Sequence, residues 1–168
     1  IKNYQDILVK PETAHFSKSP LMSQKSVLII INAQLGLLDA TQVGRNNSEA
    51  EKNISLLLSH WRRQKRPVLH IKHVSENPNS MFYKHGSGCA FLPEAEPLAG
   101  EVVFEKIRAS AFAETPLEEM LSQLEPQGII LAGFTANECI DATAKDAATL
   151  GFATYVVGDA TAMFDLRG

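Results

Sequence analysis

The sequence predicts an α/β protein: a Rossmann-like three-layer αβα sandwich around a mainly parallel sheet of five to six strands. Three observations point there. Short apolar, β-branched runs recur along the chain, as in SVLIIIN at 26–32 and QGIILAG at 127–133, and such runs read as strands buried on both faces. Segments of helical spacing lie between them, and strands that alternate with helices build parallel sheets covered on both sides. Asn32, Lys106 and Cys139 all fall at or just beyond expected strand ends, where ligands of such sheets bind.

The elements follow in order. Residues 1–25 are mixed in character and carry Pro11 and Pro20, so an extension packed over the core is expected. The strand at 26–32 comes next. Over 46–65, Ile54, Leu57, Leu58 and Trp61 share one helical face, and Pro67 stops that helix before a second strand at 68–74. The segment 76–100 is rich in Pro, Gly, Asn and Ser, and a loop that long in a compact domain is usually functional or mobile. A third strand, EVVFE, spans 101–105. Thr115, Pro116 and Glu118 read as cap, first helical residue and capping-box acid of the next helix. The fourth strand is 127–133. An Ala-rich helix covers 137–150, closed by Gly151 at the C′ position. A fifth strand covers 152–157 and Gly158-Asp159-Ala160 follows it. The length of 168 residues fits a single domain over 1–168. The chain opens on Ile1 rather than Met, so a missing N-terminus is expected.

Composition excludes several functions. The hydrophobic fraction of 45% and charged fraction of 21% are ordinary for a globular protein. A net charge of −3 gives no footprint for nucleic acid, and Arg62-Arg63-Gln64-Lys65-Arg66 reads as cations closing a helix. Two cysteines, Cys89 and Cys139, make a disulfide framework unexpected and a reducing, cytoplasmic setting the expectation. No run of about 18 apolar residues predicts a membrane span, and the first residues lack a secretory signal pattern. His70 and His73 lie three apart on a strand and so point to opposite faces, while His15, His60 and His85 are scattered. No metal or other cofactor is expected. The glycines form no phosphate-binding fingerprint.

The chemistry concentrates at Cys139. A lone cysteine in an Ala-rich helix is ordinarily core packing. This one follows a buried strand and a Gly-containing turn, so it starts the helix. There the unpaired backbone N–H groups and the positive helix end favour a thiolate and offer donors to an oxyanion. Cys89, in the Gly-rich stretch at 85–89, reads as incidental.

Three segments, VLIIINAQLGLLD from Val27, VVFEKIRASAF from Val102, and GFTANECIDATAKDAATLGF from Gly133 followed by VVGDA, together resemble the isochorismatase-like cysteine hydrolases. That family includes nicotinamidases and other amidases. The resemblance implies an Asp-Lys-Cys triad, with Cys139 as nucleophile and Lys106 as the lysine. Asn32 stands where the aspartate is expected. The resemblance further implies an oxyanion hole from the backbone N–H groups of Thr135 and Cys139, and a cis Phe134–Thr135 peptide. It places Gln34, Leu37, Phe112 and Phe134 near a small-molecule substrate, and it implies a homo-oligomer, dimer or tetramer, and a further helix and strand after strand five, so that the C-terminus at Gly168 is expected to be incomplete. The Asp-x-His and paired-His pattern of the metal-dependent nicotinamidases is absent after strand one.

Asn32 hydrogen-bonds but carries no proton at neutral pH. Losing a general acid–base costs on the order of 10² to 10⁴ in rate. Asp39 is the nearest downstream acid, several residues past the strand end, and is a poor substitute. The expected function is therefore hydrolysis of a small amide, or of a related molecule such as an enol ether, at a reduced rate. The alternative is a non-catalytic relative that binds a small ligand or serves as an oligomeric interaction module. A flavodoxin-like nucleotide binder is a third reading, disfavoured by the missing phosphate loop.

Overall fold

The computed structural model describes residues 24–39 and 44–164. All but the end of the expected extension at 1–25 lies outside them, as does His15. Five strands form one sheet in the order β3-β2-β1-β4-β5: β1 Ser26–Ile31, β2 Val68–His73, β3 Val102–Lys106, β4 Gly128–Phe134 and β5 Thr154–Ala162. Every pairing is parallel. The helices are α1 Gly36–Asp39, a single turn, then α2 Ala50–Arg63, α3 Leu117–Leu124 and α4 Asp141–Thr149.

Alternation along β1 explains the layers. Leu28 and Ile30 join Ile54, Leu57, Leu58 and Trp61 of α2 in one core. Val27, Ile29 and Ile31 join Leu117 and Leu121 of α3 and Ala147 of α4 in the other. Successive strand side chains point to opposite faces, so a strand apolar at every position needs a cover on each side. Fully burying one such side chain contributes roughly 1.5–3 kcal/mol. Trp61 also donates from its indole to the Ser26 carbonyl at 3.3 Å, so the largest core side chain leaves its polar atom paired.

Two elements differ from expectation for one shared reason. Helix α2 starts at Ala50 rather than 46, and β5 runs to Ala162 rather than 157. The side chains of Asn46 and Asn47 are committed to β5. Met163 N–H donates to Asn46 Oδ1 at 3.0 Å, and Asn47 Nδ2 donates to the carbonyls of Asp159 and Thr161 at 2.9 and 2.8 Å. Asn53 Nδ2 adds a bond to Asp159 O at 2.7 Å. With that outside support Gly158-Asp159-Ala160 stays in the strand past a register shift opposite Leu131 and Gly133. Helix α3 begins at Leu117, one residue later than expected. Thr115 still marks its start: the hydroxyl accepts Leu117 N–H at 3.3 Å and donates to the Ala111 carbonyl.

Gly133 is the position where β4 needs glycine. Its φ is +115°, and a Cβ there would lie 2.0 Å from the Ile31 carbonyl oxygen. The absence of a side chain lets the ends of β4 and β1 lie together, which is where the candidate site begins.

Candidate active site

The chain runs from β1 to β2 and β3 on one side, then returns to place β4 on the other side of β1. Such a reversal leaves a crevice at the carboxyl ends of the strands. Asn32, directly after β1, has φ +53°, a left-handed conformation that asparagine tolerates better than most residues. Its backbone N–H donates to Ile71 O at 2.8 Å. The residue is 3% exposed, and its side-chain Oδ1 has no hydrogen-bond partner.

Cys139 follows β4. The Phe134–Thr135 peptide is cis, and a π-helical turn, Ala136–Ile140, leads directly into α4. The Thr135 carbonyl closes that turn by accepting the N–H groups of Glu138 at 3.3 Å and Ile140 at 3.0 Å. Cys139 thus stands in the first turn of a continuous helical segment, as the sequence anticipated; the π turn itself left no signal in the sequence pattern.

Lys106 ends β3 and is 1% exposed. Its ammonium bonds to Arg108 O at 2.8 Å, His73 Nδ1 at 3.2 Å and Cys139 Sγ at 3.4 Å. Burial lowers the Lys106 pKa, and its contacts with Cys139 oppose that shift. His73 ends β2 in register with Lys106. Since Nδ1 accepts from an ammonium, the imidazole is the neutral form with its proton on Nε2. Burial, then the Lys106 charge, push the His73 pKa down to about 4.

Asn32, His73 and Cys139 border a cavity of about 210 Å³, with Lys106 behind them. Asn32, His73, Thr135, Asn137, Glu138 and Cys139 form its polar side. Leu37, Met81, Phe82 and Phe164 form the apolar side. Met81 and Phe82 come from the long loop, which is folded against α1: a Cβ on Gly36 or Gly88 would lie 2.5 or 2.2 Å from Met81 O. A larger depression of about 430 Å³ lies elsewhere, near Arg62, Pro67, Leu98 and Leu124, and holds no nucleophile.

Three residues expected at the pocket lie elsewhere. Gln34 is fully buried and clamps the loop instead: Nε2 donates to His73 O at 2.9 Å and Cys89 O at 3.1 Å, while Oε1 accepts His73 N–H at 2.8 Å. Phe112 is drawn away because Ala111 N–H is pinned to Thr143 Oγ1 at 2.9 Å, and its ring stacks on Phe152 with centroids 6.3 Å apart. Phe134 points into the core covered by α2, with the Arg45 guanidinium 5.4 Å above its ring. Leu37 does line the cavity. The side chain of Asp39 lies outside the described residues.

Sequence reasoning missed His73, Met81, Phe82, Asn137, Glu138 and Phe164. The signal for His73 was available, since it ends a strand as Lys106 does. Among the described residues no group of three His, Cys, Asp or Glu side chains is placed to hold a metal ion. Among them, too, no helix is long and apolar enough to cross a membrane.

Comparison with known proteins agrees with this architecture. Residues 26–168 match the family model described as Isochorismatase domain. The isochorismatase family protein YrdC of Bacillus subtilis is 37% identical over 87% of this chain and 78% of its own. A crystal structure of an isochorismatase-family protein from Chromobacterium violaceum superposes with a TM-score of 0.82 at 36% identity, covering 87% of this chain and 76% of that one. A maleamate amidohydrolase from Pseudomonas putida is 44% identical over a shorter stretch, 40% of this chain and 32% of its own.

Proposed function

The chain belongs to the isochorismatase family, and from that membership we propose that it is a hydrolase that opens a small amide through a thioester on Cys139. The observation that carries this reading is the Cys139 sulfur 3.4 Å from the Lys106 ammonium, facing a cavity at a helix start. A cation beside a thiol favours the thiolate. The matching stretch of an amidohydrolase supports the amide as the bond attacked.

The steps follow from the atoms present. With Lys106 already holding the proton that the thiol gives up, as an ammonium beside the sulfur, the thiolate attacks the amide carbon. The developing oxyanion meets the backbone N–H groups of Thr135 and Cys139, a kind of stabilisation often worth several kcal/mol. The C–N bond breaks as the amine takes the proton back, leaving an acyl thioester. Water then adds to the thioester and gives a proton to Lys106, releasing a carboxylic acid and restoring the thiolate beside the ammonium. Asn32 stands at the position of the family's aspartate and moves no proton, so the turnover is slow.

Iodoacetamide labelling of Cys139, followed by mass spectrometry, tests the nucleophile, and ammonia release from a panel of amides tests the reaction. A Cys139 that resists alkylation even at alkaline pH would sink the hydrolase reading. Asn32 favours a second reading, a family member that binds small ligands without turnover. It predicts an alkylatable Cys139 with no ammonia released from any amide.

A further inference from the structure

We propose that His73 is a catalytic residue of this site: it carries protons between the enclosed ammonium of Lys106 and the leaving group held in the cavity. This rests on the hydrolase reading and adds a residue to its machinery.

The first observation is that Lys106 is shut in. It is 1% exposed, and its ammonium bonds Arg108 O, His73 Nδ1 and Cys139 Sγ. Those acceptors match the three N–H groups of an ammonium. A proton bound from Lys106 to the cavity therefore leaves through one of these partners. The Arg108 carbonyl passes no proton on, and the sulfur is bonded to the acyl carbon when the C–N bond breaks. His73 remains.

The second observation is that His73 spans the gap. Its ring is half-buried and borders the cavity beside Cys139, and it ends β2 in register with Lys106. The ammonium holds Nδ1 at 3.2 Å, which leaves Nε2, on the other side of the ring, for the cavity. An imidazole takes a proton at one nitrogen as it gives one up at the other. Gln34 braces the residue from behind, accepting His73 N–H at 2.8 Å and donating to His73 O at 2.9 Å. Burial and the Lys106 charge hold the imidazole pKa at about 4, so the ring does not keep a second proton.

Protons balance through both halves of the reaction. As the C–N bond breaks, Nε2–H gives its proton to the departing nitrogen while Nδ1 takes one from Lys106. Lys106 becomes a neutral amine, and His73 stays neutral with its proton on Nδ1. Burial lowers the basicity of Lys106 and its contacts with Cys139 oppose that. Acylation of the sulfur removes the opposition, so the ammonium gives up its proton at this stage. Nε2 is then an acceptor. It takes a proton from the water that adds to the thioester, and Nδ1–H returns its own to Lys106.

Two acetyl esters test the relay, because p-nitrophenolate departs without a proton and trifluoroethoxide needs one. His73→Asn keeps an acceptor for Lys106 but moves no proton. It should slow trifluoroethanol release about a hundredfold and p-nitrophenol release no more than about threefold. A melting curve and the alkylation rate of Cys139 check the fold and the thiol. The wild type gives a second reading that needs no variant: deuterated water should lower its ratio of trifluoroethanol to p-nitrophenol release about twofold. Equal slowing of both esters by His73→Asn would mark a structural role, and unslowed trifluoroethanol release would mean that Lys106 reaches the leaving group directly. Either overturns the proposal, as does a ratio unmoved by deuterated water or a wild type that releases p-nitrophenol but no trifluoroethanol. The hydrolase reading is judged apart: a wild-type Cys139 that p-nitrophenyl acetate does not acetylate ends both.

Discussion

Two histidines three residues apart on β2 have opposite surroundings. His70 is fully buried, with Nε2 2.8 Å from Glu101 Oε2. Arg62 completes that cluster with bonds of 2.7 and 2.9 Å to the same carboxylate. Burial would raise the Glu101 pKa, but the bonds from Arg62, Leu98 N–H and His70 outweigh it and hold the carboxyl at about 2. His73 instead faces the Lys106 ammonium, which also touches the Cys139 sulfur, and the side-chain oxygen of nearby Asn32 is buried without a partner. The two clusters show what one carboxylate changes. Where it is present, charge is neutralised within the fold and the group is structural. Where it is lacking, the buried Lys106 ammonium stays beside the Cys139 sulfur.

The strongest way to break this contrast is to supply the missing carboxylate. Asn32→Asp should raise ammonia release on the order of 10² to 10⁴, the usual worth of a positioned acid–base. An unchanged rate would show that position 32 is not the deficit. The mirror experiment removes the carboxylate that is present. Glu101→Gln should destabilise the fold by about 2 kcal/mol, since breaking a largely buried ion cluster leaves Arg62 and His70 uncompensated. Urea denaturation measures it, and labelling of Cys139 should not change.

Acid should distinguish the two clusters further. The His73 pKa of about 4 in the fold lies below its ordinary 6.5, so the unfolded state binds the extra proton first. Its contribution to stability is complete above pH 6.5 and falls away as pH drops to about 4. Glu101, held at about 2 against 4.5, loses its contribution lower, between about 4.5 and 2. Melting temperatures across pH 7 to 3 should therefore fall in two stages. Lys106→Met should raise the His73 pKa seen by NMR, because it removes the adjacent charge. The smallest effect is expected at Phe112, which stacks on Phe152 away from the cavity. Phe112→Leu should cost about 1 kcal/mol of stability and leave activity within about twofold.

Much of this was legible in the chain. Apolar runs marked β1 and β4, because a strand buried on both faces has no polar position to spare. The segment around Cys139 identified a strand, a turn and a helix start in the right places. Phe112 and Gln34 were harder. Their closeness to family motifs says nothing of direction, which the Ala111–Thr143 bond and the His73 clamp decide. The length of β5 was also hidden, because it depends on asparagines more than 100 residues away in sequence.

The sequence by itself determined the parallel sheet, the family and the positions of Cys139, Lys106 and Asn32, since each rests on local pattern and on residue type at a strand end. Only the tertiary structure decided what those side chains meet. The alignment of β2 with β3 put His73 against Lys106. The folding of the long loop brought Met81 and Phe82 to the cavity. The close approach of β4 to β1 brought Asn32 to the same cavity as Cys139. Such contacts join residues far apart in the chain, so they are set by packing rather than by any stretch of sequence.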